Sequence, residues 1–243
     1  LYDPSLKMIT IEDPVEYELA GVNQIPVNPE RGLSFASGLR SILRQDPDVV
    51  MVGEIRDNET ADIAVRAALT GHLIFSTLHT NDAVSAVGRL LDMDVEPFLV
   101  ASVLEGIIAQ RLGRKVCKLC RRQEPIAEAL RHRLSTRESV LFTDFLAWRG
   151  AGCDKCDNTG FKGRIGYFEM LDIGPELRSA ITEGRTSSPE LLAAASASHL
   201  TMRHDGLLKA AAGDTTVEEV LRATQDTEEM MSSRASGGTG AKA

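Results

Sequence analysis

No stretch of eighteen or more uncharged apolar residues occurs in the sequence, so nothing in it reads as a membrane-spanning helix. The most apolar window, Pro97 to Leu112, is interrupted by Glu105 and Arg111 and reads instead as a core helix. The cationic, apolar and small-residue succession of a secretory signal is missing too, which leaves the cytosol as the default compartment. Positive charge is in short supply: 27 lysines and arginines face 35 aspartates and glutamates, a formal net charge of −8. That balance argues against a general nucleic-acid binder, whose affinity comes mostly from neutralising phosphates. What remains is a chain of 243 residues, long enough to bury a sizeable core and suited to one α/β domain with appended modules.

The few cysteines are ordered. Cys117-x2-Cys120 and Cys153-x2-Cys156 form two pairs separated by 32 residues, with none left over. In a cytosolic chain this spacing favours a metal over disulfides, because both thiolates of a pair reach one tetrahedral ion. Zinc is the first choice and an iron–sulfur cluster the alternative. A closed four-thiolate site leaves no open coordination position, so its role is structural. Lys118, Lys155, Arg121 and Arg122 lie beside the thiolates and are expected to offset their charge. Between Gln110 and Ile165 thirteen basic residues outnumber six acidic ones, a local excess of +7 against −15 for the remainder. Such segregation fits a solvated face, or a docking surface for an acidic partner or anionic lipid.

Three segments carry the candidate chemistry. Val49 to Val52 is a run of four apolar residues, the pattern of a parallel strand covered on both faces, and it leads to Glu54. Asp57 and Asn58 then provide cap chemistry for a helix to about Leu69. Ile9 to Glu12 is a second short strand that ends in an acidic cluster, Glu12, Asp13 and Glu16, with Pro14 stopping the ladder. A third strand lies between His72 and His79, which mark its opposite ends. If the strands are parallel, Glu12, Glu54 and His79 share the carboxyl-end rim, where open α/β sheets place their chemistry. An acidic residue there, beside a bound phosphate, suits Mg2+, a hard cation that takes oxygen ligands.

Elsewhere the pattern is simpler. Gly21 to Val27 alternates and reads as an edge strand or hairpin ending at Pro26 and Pro29. Ser34 caps a helix through Arg44, with Phe35, Leu39, Ile42 and Leu43 on its apolar face. Arg40 and Arg44 point away from that face, toward exposed ion pairs, the phosphate rim or a neighbouring subunit. Asn81 or Asp82 caps the next helix and Pro97 opens another. Pro125 to Gly150 reads as largely helical and Gly163 to Met170 as a strand. Pro175–Glu183, Pro189–His199, Met202–Ala212 and Val217–Thr224 read as helices. Beyond Asp226 the composition turns to Ser, Gly, Ala and Thr without periodicity, the signature of a disordered tail.

Arg44, Pro47, Asp48, Gly53, Glu54, Arg56 and Asp57 stand in the order of a long Walker B signature. With the Glu12 and His79 segments, this stretch resembles the Asp box, Walker B and His box of the secretion ATPase family. That family includes the type II secretion E subunit, type IV pilus assembly and retraction ATPases, and conjugation relatives. The resemblance runs from about Met8 to Thr224, and the tetracysteine and Leu78–Leu99 look most like the secretion and pilus assembly branch. It implies an α/β, RecA-like P-loop ATPase core over residues 1–112, with its N-terminal part truncated. After it come a tetracysteine metal module at 113–165, a helical C-terminal region at 166–226 and a tail at 227–243.

By the same resemblance Glu54 acts at Mg2+ and Glu12 activates water, with Asp13 and Glu16 as weaker candidates. His79 would sense the terminal phosphate of ATP, and His72 would be structural or bridge subunits. Arg56 would pair with Asp57 or Asp62, or reach phosphate across a subunit boundary. The family forms a homo-hexameric ring in which ATP hydrolysis pushes on an inner-membrane platform protein and its associated cytoplasmic domains. The implied location is cytoplasmic, peripheral at the inner membrane. The family's phosphate loop, G-x-x-x-x-G-K-[ST], does not occur in the sequence. An N-terminal truncation is therefore expected, with ATPase activity belonging to the parent protein. The alternatives are a nonhydrolytic, zinc-stapled interaction module and an ATP-driven nucleic-acid translocase.

Overall fold

Strand β1 (Met8–Glu12) is followed by β2 (Asn23–Pro26), α1 (Phe35–Ile42), β3 (Val49–Val52), α2 (Asn58–Leu69) and β4 (Leu73–Ser76). Helices α3 (Ala83–Asp92) and α4 (Pro97–Val103) precede β5 (Gly106–Val116), β6 (Arg121–Pro125), α5 (Glu128–Arg131), α6 (Thr136–Ser139) and β7 (Leu146–Gly150). The order closes with β8 (Phe161–Asp172), α7 (Pro175–Thr182), α8 (Ser188–Ala194), α9 (Met202–Ala211) and α10 (Val217–Ala223). The structure, a computed structural model, describes residues 3–195 and 199–224. The expected tail at 227–243 lies outside the described residues. The described residues divide into two compact units: 3–80, 84–105 and 173–195 form one, and 81–83, 106–172 and 199–224 the other.

The first unit is built on a four-stranded parallel sheet in the order β2-β1-β3-β4. Ile9, Ile11, Val49, Val50 and Val52 are buried, whereas β2 and β4 are largely exposed. Central strands covered on both faces must be apolar throughout, as the Val49–Val52 run implies. The strand expected within Gly21 to Val27 is thus β2, an edge strand parallel to β1 and not part of a hairpin. Helix α1 crosses β1 at Gly38, where an added Cβ would collide with the Ile11 side chain. Ser34 and Ser37 form a reciprocal capping box at its start. Asp57 caps α2 by accepting from Thr60 N at 2.8 Å. Arg40 makes the exposed ion pair expected of it, with Glu59 at 2.6 Å.

The second unit is a long antiparallel pair, β5 with β8, and a short one, β6 with β7. Pro97 to Leu112 is not one helix: it is helical only to Val103, and β5 begins at Gly106. Ile107, Ile108, Ala109 and Leu112 mimic a helical stripe locally, but ten cross-strand partners on β8 decide the conformation. Pro125 to Gly150 is likewise only partly helical, with two one-turn helices between β6 and β7. The expected strand at Gly163–Met170 is present and longer, as β8. The core gathers Phe142, Tyr167, Leu207, Val217, Val220 and Leu221 around α9 and α10. Tyr167 is fully buried, and its hydroxyl meets Thr215 Oγ1 at 2.8 Å, which in turn donates to the Arg114 carbonyl. Helices α9 and α10 approach closely because residue 206 is glycine: a Cβ there would lie 2.6 Å from Val220 Cγ1.

Candidate functional site at the strand ends and a four-thiol knuckle

The parallel register puts Ile11 beside Val52 and Val52 beside Ser76, so Glu12, Glu54 and His79 all follow the carboxyl ends of adjacent strands. Backbone bonds extend the ladder past the regular strands: Gly53 N donates to Ile11 O at 2.8 Å and Ile55 N to Thr77 O at 3.1 Å. Thr77 Oγ1 donates back to Gly53 O at 2.6 Å. A Cβ at Gly53 would sit 3.3 Å from Glu12 Cα, so the bare glycine permits the closest approach of the two acidic strand ends. Glu54 is therefore held from both sides at the backbone.

Its carboxylate is held as well. Arg56 Nη2 pairs with Oε1, and His79 Nε2 lies 2.9 Å from Oε2. The Arg56 hydrogen bond, opposed by burial and aided by His79, keeps the Glu54 carboxyl below the usual glutamate range. Glu54 is buried while Arg56 and His79 are exposed, so its oxygens face outward toward the guanidinium and the imidazole. An ionised carboxylate in that setting is a hard oxygen donor suited to a divalent cation.

Arg56 does not take Asp57 or Asp62 as its partner, as the sequence suggested. Asp57 is committed to the α2 cap and Asp62 to Arg66 at 2.8 Å, which leaves Glu54 as the carboxylate within reach. Asp13 is exposed and near enough to add to the field that favours the Arg56 cation. His72 stands at the opposite end of β4, with Nδ1 3.0 Å from Ala67 O and 3.2 Å from Thr70 Oγ1. There it closes the C-terminus of α2, a structural use far from the acidic rim.

Around Glu12 the structure adds two residues that sequence reasoning passed over. Thr10 Oγ1 and Gln24 Nε2 both donate to Glu12 Oε1, the latter at 2.9 Å. Thr10 precedes Glu12 by two, and Gln24 is its register partner on β2, so all three share one face of the sheet. The period-two spacing of Thr10 and Glu12 was a signal available in the sequence. Gln24 needed the β1–β2 register.

The two cysteine pairs come together because β6 and β7 pair at their base, Arg121 opposite Gly150. Gly150 and Gly160 then touch backbone to backbone, with no room for a Cβ at either, and Cys117 N donates to Gly160 O at 2.9 Å. The four sulfurs lie within 4.8 Å of one another. Cys117–Cys153 and Cys120–Cys156 are 3.9 Å apart and Cys153–Cys156 is 3.7 Å. A zinc tetrahedron with bonds near 2.3 Å has sulfur–sulfur edges of about 3.8 Å, whereas a disulfide needs about 2 Å. The donor set and spacing therefore fit one tetrahedral ion. Burial, with the neighbouring sulfurs adding to it, raises the pKa of the Cys120 thiol to about 11, and burial pushes the Cys153 thiol up as well. At Cys156 burial is outweighed by the Cys153 and Gly160 backbone, which brings it down to about 7. Arg121 and Arg122 make their direct contacts elsewhere than at the sulfurs. Arg121 stacks on Trp148 and donates to Gly213 O, and Arg122 pairs with Glu124.

A parallel α/β sheet with carboxylates converging on its carboxyl edge, in a chain that also carries a four-thiol knuckle, places the protein among α/β proteins with an acidic strand-end site. The chain belongs to the type II/IV secretion system protein family, whose profile matches residues 1–222. It is 50% identical over 222 residues to the type IV pilus assembly ATPase PilB of Thermus thermophilus, covering 91% of this chain and 25% of that protein. It is 49% identical over 219 residues to the type II secretion system protein HxcR of Pseudomonas aeruginosa, covering 90% and 42%. Against type II secretion system protein E of Klebsiella pneumoniae the identity is 47% over 218 residues, covering 90% and 43%. The chain thus spans less than half the length of each of these curated relatives. Among solved structures, the pilus retraction motor PilT with bound ADP aligns with a TM-score of 0.64 at 30% identity, covering 93% of this chain and 55% of that one. The Legionella pneumophila ATPase DotB shares the fold, with a TM-score of 0.61 at 22% identity over 95% of this chain and 53% of that one.

Proposed function

We propose that this chain supplies the acidic half of the Mg2+–ATP site of a hexameric motor that powers type II secretion or type IV pilus assembly. The observation that carries the reading is the placement of Glu12 and Glu54 at the carboxyl ends of neighbouring parallel strands, with Glu54 gripped by Arg56 and His79. In this reading Glu54 is the carboxylate that would hold Mg2+; Arg56 keeps it ionised, and Arg56 and His79 together keep it oriented until then. Glu12 orients or deprotonates the attacking water. His79, exposed beyond Glu54, is placed to hydrogen-bond a terminal phosphate, and Asp13 tunes the field around Arg56.

Cys117, Cys120, Cys153 and Cys156 would hold Zn2+, a structural staple that closes the excursion between β5 and β8. The assembled protein works as a homo-hexamer at the cytoplasmic face of the inner membrane, against a platform protein. Among the described residues no helix is long and apolar enough to cross a membrane. The deciding experiment uses the full-length protein that contains this chain. Glu54→Gln should abolish ATP turnover while a fluorescent ATP analogue still binds, because the amide keeps the shape and loses the charge. Turnover at the wild-type rate in that variant refutes the assignment.

A further inference from the structure

We propose that Gln24 is a positioning residue for Glu12: with Thr10 it fixes Oε1, so that Oε2 is the oxygen turned toward the attacking water. The inference rests on the reading of Glu12 as the water-activating carboxylate and adds to it which oxygen acts and what aims it. Three polar partners orient the Gln24 amide. Its Nε2 donates to Glu12 Oε1 at 2.9 Å and to Tyr17 O at 3.0 Å, and its Oε1 accepts from Leu19 N at 2.7 Å. A flipped amide would set its oxygen against a carboxylate and a carbonyl, and its NH2 against an N–H, so only one orientation satisfies all three. The Gln24 side chain is thereby locked by the backbone of the loop between β1 and β2.

Both side-chain donors, Thr10 and Gln24, fall on the same oxygen of Glu12. Among the described residues no hydrogen bond falls on Oε2. Glu54 differs: Arg56 takes one of its oxygens and His79 the other. A general base needs a free lone pair held in a fixed direction, and a glutamate with three rotatable side-chain bonds has no fixed direction unless something anchors it. Glu12 meets that need and Glu54 does not. Gln24 touches neither water nor nucleotide in this scheme. It acts through Glu12 alone.

A double-mutant cycle in the full-length protein tests this. Gln24→Leu keeps the volume and removes the donor, and Glu12→Gln removes the base. With Gln24→Leu, kcat for ATP should fall about 10- to 100-fold, the scale of a misaimed catalytic group, while KM stays within about two-fold. In the Glu12→Gln background the same substitution should cost nothing more. Wild-type kcat in Gln24→Leu, or losses that multiply in the double variant, overturns the positioning role. Wild-type turnover in Glu12→Gln overturns the assignment of the base itself, a separate outcome. Should Gln24→Leu melt early, Thr10→Val removes the other donor at nearly constant shape and completes the same cycle: a kcat loss confined to the Glu12 background supports positioning, and wild-type kcat or multiplying losses overturn it.

Discussion

Glu219, buried at the start of α10, offers the sharpest stability test in the second unit. Its carboxylate accepts from Arg114 N at 2.9 Å, Arg114 Nη2 at 2.7 Å, Arg222 Nε at 3.0 Å and Arg222 Nη2 at 2.9 Å. Burial pushes its pKa up, but hydrogen bonds from both arginines and the Arg114 backbone outweigh it, and the carboxyl falls from 4.5 to about 2. A depressed folded-state value stabilises the protein above the unfolded value, and that stability is lost as pH falls from about 4.5 through about 2. The full shift corresponds to about 3 kcal/mol at neutral pH. That is an upper bound, because the Arg114 and Arg222 side chains are 53% and 63% exposed and water screens them.

Near pH 3 less than half of this contribution remains, about 1.4 kcal/mol. Glu219→Gln should therefore destabilise by about 2–3 kcal/mol at pH 7, with the gap to wild type closing by up to about 2 kcal/mol between pH 6 and pH 3. Urea unfolding followed by the fluorescence of Trp148, the one tryptophan and a member of the same unit, measures it directly. A gap that stays constant across that range refutes the linkage, because a pH-independent loss comes from packing and not from the charge.

Two further outcomes follow from the second unit. The protein purified without chelator should contain one zinc per chain, and chelation should release it, expose four titratable thiols and lower the midpoint of the Trp148 transition; metal-free protein with an unchanged midpoint contradicts a structural ion. Gly113→Ala should cost about 1–3 kcal/mol, since the new methyl group would collide with the Tyr167 hydroxyl in the core, and urea midpoints equal to wild type would show that the ring yields freely.

Much of the site was legible before any fold was known. Four apolar residues in a row before Glu54 pointed to a covered central strand, and two C-x2-C pairs with nothing left over pointed to one four-sulfur cluster. Capping was equally local: Ser34 and Asp57 act where their side chains can reach the first turn's free N–H groups. The errors lay where conformation depends on distant partners. Ile107 to Leu112 has a spacing that either a helix or a strand accepts, and β8, more than fifty residues later, selects the strand. Arg56 could be assigned a carboxylate from sequence, but not the right one, since Asp57 and Asp62 are taken by bonds only the folded helix makes.

What the sequence determined by itself was the inventory: which strands are buried, which residues are acidic at strand ends, which four sulfurs belong together. What the tertiary structure alone decided was adjacency. Parallel register brings Glu12 next to Glu54 and lays Gln24 across from Thr10, and the pairing of β6 with β7 closes the sulfur cluster. The reason is physical: periodicity and caps are set within a few residues, whereas register is a contest among whole strands, settled by what each alternative would bury.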